Sequence, residues 1–217
     1  MKELIFSRYK TLSTLFISMC LSIFLLMVRM TLTLSFQFIF LVWNLFLAFV
    51  PFMMTLYLSS KQDLSKLQLA LTFVAWLLFL PNAPYLITDL IHLQLSSGKL
   101  FWLDALVISS FAINGLLCYL YSIKDMKALL QEHAPKKWIT LGFHLVPFLV
   151  AYGVFLGRFL RYNSWDILHQ PFRIALDSLL ILVNPVTHYK IWLFTIVFGG
   201  FLYLINKLHL TSDKRNW

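Results

Sequence analysis

The sequence predicts an all-α fold, a polytopic membrane helix bundle of about six spans with short interfacial helices, built as one domain over residues 1–217. Three observations carry this. Hydrophobic residues make up 60% of the chain and charged residues only 12%, against roughly 45–50% and about 25% in soluble domains. The apolar residues fall in runs close to the roughly 20 that a helix needs to cross a bilayer. Lys and Arg sit at the ends of those runs and form no stripe with interleaved aromatics, so the net charge of +9 reads as an orientation signal and no nucleic acid is expected as a partner.

The first span covers about residues 11–28. Its lead, Lys2 to Lys10, has the charge order of a secretory signal, but Arg29-Met-Thr-Leu32 offers no small-residue cleavage site, so the span is expected to be retained. A tight turn at Arg29 to Thr31 leads to the second span, about 34–57. The third, about 67–80, is stopped by Pro81 and Pro84. Pro84 is tolerated in the first turn of a new helix and Asn82 is a good N-cap, which predicts a break at Asn82 and a short outer helix over 83–95. The fourth span is about 101–121. Lys124 to Lys137, with Met126, Leu129 and Leu130 among its charges, reads as a short amphipathic helix on an anionic leaflet. A fifth span at about 138–156, a second outer helix over 165–183 and a sixth span at about 191–205 complete the chain.

Sparse polar residues inside the spans have ordinary roles. Asn44, Asn114 and His144 are expected to make interhelical hydrogen bonds, and Gly199 and Gly200 to permit close helix approach. Cys20 and Cys118 lie in apolar runs and behave as small hydrophobes, not as a disulfide framework. Trp43, Trp76, Trp102, Trp138 and Trp192 fit interfacial anchoring where they fall near span ends.

Orientation follows from Lys and Arg. Twelve lie before the first span, between the second and third, between the fourth and fifth, and after the sixth, against six on the other side. That bias predicts both termini in the cytoplasm. Four of the six minority residues, Arg158, Arg161, Arg173 and Lys190, share one connection, an arrangement that calls for its own explanation.

Two segments can carry chemistry. After the break, Tyr85, Thr88, Asp89 and His92 are spaced i, i+3, i+4, i+7 and form one polar stripe on an otherwise apolar helix. A helix break at membrane depth is allowed only where protein covers it or water reaches it. The stripe therefore faces the bundle interior or an outward cavity, or else lies among headgroups. In the second segment Arg158 and Arg161 are one turn apart, with Asn163 as a turn and cap and Asp166 near the start of the next helix. Paired guanidiniums suit a phosphate or carboxylate, or they pair internally with Asp89, Asp104 or Asp166. Asp104, in the first turn of the fourth span, is costly at that depth unless paired or hydrated. A metal set of Asp89, His92 and Asp104 is weighed and not adopted, and no metal or other cofactor is expected.

Four stretches resemble a family of bacterial multi-pass membrane proteins described as a domain of unknown function, family 1361. They are Trp43-Asn-Leu-Phe-Leu-Ala-Phe-Val-Pro51, Leu80-Pro-Asn-Ala-Pro-Tyr-Leu-Ile-Thr-Asp-Leu-Ile-His-Leu93, Trp102-Leu-Asp104 and Leu156-Gly-Arg-Phe-Leu-Arg-Tyr-Asn-Ser-Trp-Asp166. The resemblance implies an integral protein of the bacterial cytoplasmic membrane and supplies no catalytic residues. The residues themselves lead to an expected outward-facing ligand site of Asn82, Tyr85, Asp89, His92, Asp104, Arg158, Arg161, Asn163 and Asp166. Its expected partner, besides the bilayer, is an anionic lipid or polyprenyl phosphate bound by a binding or scaffold protein. A membrane enzyme acting on a lipid-linked phosphate, with Asp89 and His92 in proton transfer, and a small-solute transporter remain as alternatives.

The charge asymmetry makes a topology test direct. Single cysteines at Gly98 and Ser164 are expected to react with an impermeant thiol reagent added outside intact cells, and one at Gln131 is expected not to; outside labelling of Gln131 would contradict the orientation.

Overall fold

A computed structural model of the chain describes residues 8–61, 63–96, 98–162 and 164–213. Among the described residues the structure is helical without strands, and six helices are long and apolar enough to cross a membrane. The chain divides into two compact units, 1–133 and 134–217. Unit 1 holds α1 (Tyr9–Thr33), α2 (Phe40–Ser59), α3 (Lys66–Phe79), α4 (Asn82–Thr88), a 3-10 segment (Asp89–Leu95) and α5 (Phe101–His133). Unit 2 holds α6 (Lys136–Phe159), α7 (Asp166–His169), α8 (Pro171–Val183) and α9 (Tyr189–Asp213).

The centre of unit 1 is α5, 33 residues long. Val107, Phe111, Cys118, Ser122, Met126 and Leu129 line its buried side at the three- and four-residue spacing that keeps one helix face inward. α1, α2 and α4 all pack on it. The amphipathic helix expected over Lys124 to Lys137 is instead, as far as His133, the continuation of this span, because Asp125, Met126 and Leu129 carry the buried stripe past the last apolar residues.

α1 also runs on past its apolar stretch. The turn expected at Arg29 to Thr31 lies further along, where α1 ends on Leu34 in the left-handed region (φ 52°). Nothing at 29–31 breaks a helix: Arg29, Met30 and Thr31 include no Gly or Pro, and the Thr31 hydroxyl bonds back to the Val28 carbonyl at 2.8 Å. α3 starts with a capping box, Ser65 Oγ accepting from the Gln68 amide (3.2 Å) while the Ser65 amide donates to Gln68 Oε1 (3.4 Å), the reciprocal satisfaction of two orphan donors.

Buried polar contacts pin helices to α5. Trp76 is fully buried, and its indole N–H donates to Ser122 Oγ at 2.7 Å. It is a packing residue, unlike Trp43, Trp102 and Trp138, which stand exposed. Asn114 Nδ2 lies 2.9 Å from Ser22 Oγ and 3.3 Å from the Ser18 carbonyl, tying α1 to α5 as interhelical hydrogen bonds do.

In unit 2, α6 and α9 form the main pair. They meet at Gly199, where an added Cβ would lie 2.6 Å from Phe148 Cδ1 and 3.0 Å from its Cα. Gly200 faces open space, so of the two glycines only Gly199 serves close approach. The exposed His144 ring lies 5.6 Å from that of Tyr203, linking the same pair.

In unit 1 the tightest approach is Gly115 against α4, where a Cβ would meet the Ala83 carbonyl oxygen at 2.4 Å and Leu86 Cδ1 at 2.7 Å. A backbone oxygen cannot step aside as a side chain can. Gly115→Ala is expected to destabilise the protein by about 1–3 kcal/mol, lowering the melting temperature in detergent, while Gly200→Ala is expected to be near neutral; equal melts for the two would contradict this packing.

Candidate functional site

The break between α3 and α4 forms as Pro81 and Pro84 require, since neither can donate to the helix ladder. Asn82 does not act as the N-cap of the new helix. It is the first residue of α4, and its Nδ2 donates backward to the Phe79 carbonyl at 2.9 Å, satisfying the end of α3. The polar stripe then changes pitch: after Thr88 the chain tightens into the 3-10 segment. At three residues per turn, positions i and i+3 eclipse. Asp89 and His92 are brought into line, with His92 Nε2 3.9 Å from Asp89 Oδ1, beyond direct hydrogen-bond range. Tyr85 and Thr88 sit one turn earlier, and the Thr88 hydroxyl is turned to the Tyr85 carbonyl at 2.6 Å.

Asp89 is fully buried. Its Oδ2 accepts from Asn44 Nδ2 of α2 at 2.9 Å, while the half-buried His92 ring rests edge-on against Phe40 at 4.9 Å. This sets an acid within the protein and an imidazole toward its edge, with Asn44 holding the acid. Sequence reasoning gave Asn44 a packing role. The signal that could have found it is an amide placed early in α2, at the same end of the unit as the start of the 3-10 segment.

Asp104, also fully buried, belongs to a different cluster. Its Oδ1 accepts from Arg29 Nε at 2.9 Å and its Oδ2 from Ser96 Oγ at 2.6 Å. Arg29 spends its other nitrogens on Thr33 Oγ1 (3.3 Å) and Gln37 Oε1 (3.0 Å), and its guanidinium lies 4.4 Å over the Phe38 ring. A buried ion pair repays its desolvation only where the remaining donors and acceptors are satisfied, and here each guanidinium nitrogen and both carboxylate oxygens have a partner. The position in the first turn of α5 adds the favourable field of a helix N-terminus. Arg29, expected to mark a turn, was missed as this partner; its signal is a charge inside an apolar stretch with no turn residue beside it. No group of three or more His, Cys, Asp or Glu that could hold a metal ion occurs among the described residues.

Arg158, Arg161 and Asp166 belong to unit 2, and Asn163 lies outside the described residues. Arg158 is half-buried near the end of α6. Arg161 is exposed and adopts a left-handed backbone, φ 60°, uncommon for a residue with a long side chain and a local cost of roughly 1–3 kcal/mol. The Tyr162 amide turns back to the Leu156 carbonyl at 3.1 Å and closes the helix end. Tyr162 also donates its hydroxyl to Asp177 Oδ2 at 2.6 Å, and this bond pushes the phenol above its ordinary pKa. Arg173 Nη1 lies 3.3 Å from Gln170 Oε1. Nearby, α8 exposes Phe172, Leu176, Leu179 and Val183, an apolar surface suited to a bilayer.

Because Asn44 supplies a side-chain donor to a buried carboxylate, Asn44→Leu is expected to destabilise unit 1 by about 1–3 kcal/mol, with Asn44→Leu/Asp89→Asn recovering part of the loss. Chemical denaturation in mild detergent checks this, and an Asn44→Leu protein as stable as the parent would contradict it.

No curated protein and no solved structure matches the chain. A family described as "Protein of unknown function (DUF1361)" matches residues 43–205, a stretch that includes Asn44, the α3–α4 break, Asp104 and the Arg158 to Asp166 segment. With most of its length matched, a membrane protein by its six candidate spans, the chain belongs to the DUF1361 family.

Proposed function

We propose that this protein binds an anionic lipid headgroup, most simply a phosphate monoester or diester of a membrane lipid, through Arg158 and Arg161 of unit 2, as a binding or scaffold protein. The observation that carries the reading is the closed Arg29–Asp104 pair. The minority-side arginines drew their structural explanation from acids in need of counter-charge. Asp104 has its counter-charge from Arg29, so Arg158 and Arg161 are not required to neutralise it.

Arg161 supports the same reading, since it is exposed just past the end of α6. The apolar face of α8 would seat this part of the unit at headgroup depth, where a guanidinium can give two parallel hydrogen bonds to a phosphate. A second reading, an enzyme acting on a lipid-linked phosphate, draws on Asp89 and His92: a buried carboxylate in line with a half-buried imidazole is a workable proton relay.

The test is binding of a polyprenyl phosphate or phosphatidylglycerol to the purified protein in nanodiscs. Lys keeps the charge and loses the fork, so Arg158→Lys and Arg161→Lys are each expected to weaken binding about tenfold, the equivalent of roughly 1.4 kcal/mol. Unchanged binding in folded variants would contradict the headgroup site. Loss of turnover of a lipid-linked phosphate in His92→Gln, with binding intact, would favour the enzyme.

A further inference from the structure

At the end of unit 1 where α1 begins and α2 and α5 finish, a cavity of about 240 Å³ is lined by Arg8, Lys61, Asp125, Glu132 and His133 among others. Arg8 and the buried Asp125 form an ion pair there, and His133 Nδ1 is engaged by the Leu129 carbonyl at 2.9 Å. Lys61 and Glu132 remain. Both are exposed, and among the described residues neither has an ion-pair partner; the Lys61 ammonium lies 4.7 Å over the Tyr57 ring. One cavity thus offers an available cation and an available anion, which suits a ligand that carries both charges.

A second feature begins one helical turn away. A groove of about 470 Å³ runs between α1 and α2, lined by Leu12, Leu15 and Met19 on one side and Leu45, Phe46 and Phe49 on the other. The two helices are consecutive, yet each packs mainly on α5, which leaves the gap open. Arg8 stands four residues before Leu12 and so shares its face of α1. Charged cavity and apolar groove therefore follow one another along one helix, in the order of a lipid headgroup and its chain. A free zwitterion would use only the cavity, and a docking helix only the groove.

We infer that unit 1 holds one bilayer aminophospholipid, with its phosphate on Lys61, its primary ammonium on Glu132, and an acyl chain along the α1–α2 groove. A phosphatidylglycerol headgroup would leave Glu132 without a cation. A choline headgroup would bring a cation with no N–H to donate, and charge-assisted hydrogen bonds are the stronger contacts. This site is independent of the Arg158 and Arg161 reading.

The full chain is delipidated, exchanged into mixed micelles with equal amounts of phosphatidylethanolamine, phosphatidylglycerol and phosphatidylcholine, and its retained lipid counted by native mass spectrometry. Phosphatidylethanolamine is expected to be retained several-fold over the other two. Lys61→Gln is expected to lower that retention several-fold, and Glu132→Gln to turn the preference toward phosphatidylglycerol. Both side chains are exposed, so the variants keep the fold. Cys20 reports on the chain, because it is exposed on the groove while Cys118 is buried. Its alkylation by a permeant maleimide is expected to slow several-fold when phosphatidylethanolamine is added to the parent protein, and not in Lys61→Gln. Equal retention of the three lipids, an unchanged preference in Glu132→Gln, or Cys20 alkylation indifferent to lipid would each overturn the inference, and Arg158→Lys is expected to leave all of these readouts in place.

Discussion

A charge pair buried between α1 and α5 sets the arrangement of unit 1. Arg29 and Asp104 are nearly inaccessible, with side chains 4% and 1% exposed, in a setting where an isolated ion is strongly disfavoured. The guanidinium must reach the carboxylate, which fixes the rotation of both helices. Ser96 then ties the end of the 3-10 segment to the same carboxylate, and Gln37 and Phe38 tie the start of α2 to the same guanidinium. Such a pair is weak evidence for stability as such, since well-packed apolar residues can do as well. Its contribution here is specificity: apolar helices in lipid have little to choose between neighbouring registers, and a pair with each guanidinium nitrogen engaged selects one.

The network also reshapes how the polar stripe works. On an ideal α-helix Tyr85, Thr88, Asp89 and His92 would share one broad face. The 3-10 winding from Asp89 onward separates them: Thr88 bonds its own backbone, while Asp89 and His92 align. Asn44 reaches Asp89 from α2, so Asp89 faces the interior of unit 1, while Tyr85, Thr88 and His92 are half-buried. Polar groups at this end are engaged with one another, whereas the opposite end of the unit keeps an open charged cavity beside an apolar groove.

Apolar run length was enough to place the helices, because in a bilayer the backbone can satisfy itself only within helices or closed barrels. It was a poor guide to where they stop. Lys124 and Asp125 looked like the end of a span, yet α5 continues because its buried face depends on Met126 and Leu129 and not on the mean polarity of all sides. Arg29 looked like a turn because charge was read as exposure; its partner lies 75 residues away, a distance that composition and periodicity cannot bridge. The role of Asn82 was misassigned for a local reason, since an amide can satisfy the helix behind it as well as the one ahead. Asp89, Asp104 and His92 stood out because ionisable residues are rare in such spans, but the grouping of Asp104 with the other two did not foresee its separate cluster with Arg29 and Ser96. Asn44 was not, because an amide in a span has a bland explanation that is usually sufficient.

The central claim is that Arg29 and Asp104 act as one unit, and a double-mutant cycle addresses it directly. Arg29→Gln and Asp104→Asn each leave a buried charge alone, at a cost of about 3–5 kcal/mol, while the double variant removes both charges. The account predicts that the double variant is more stable than the sum of the single losses requires, by at least about 1 kcal/mol, in unfolding followed in mild detergent. Strictly additive losses would contradict it.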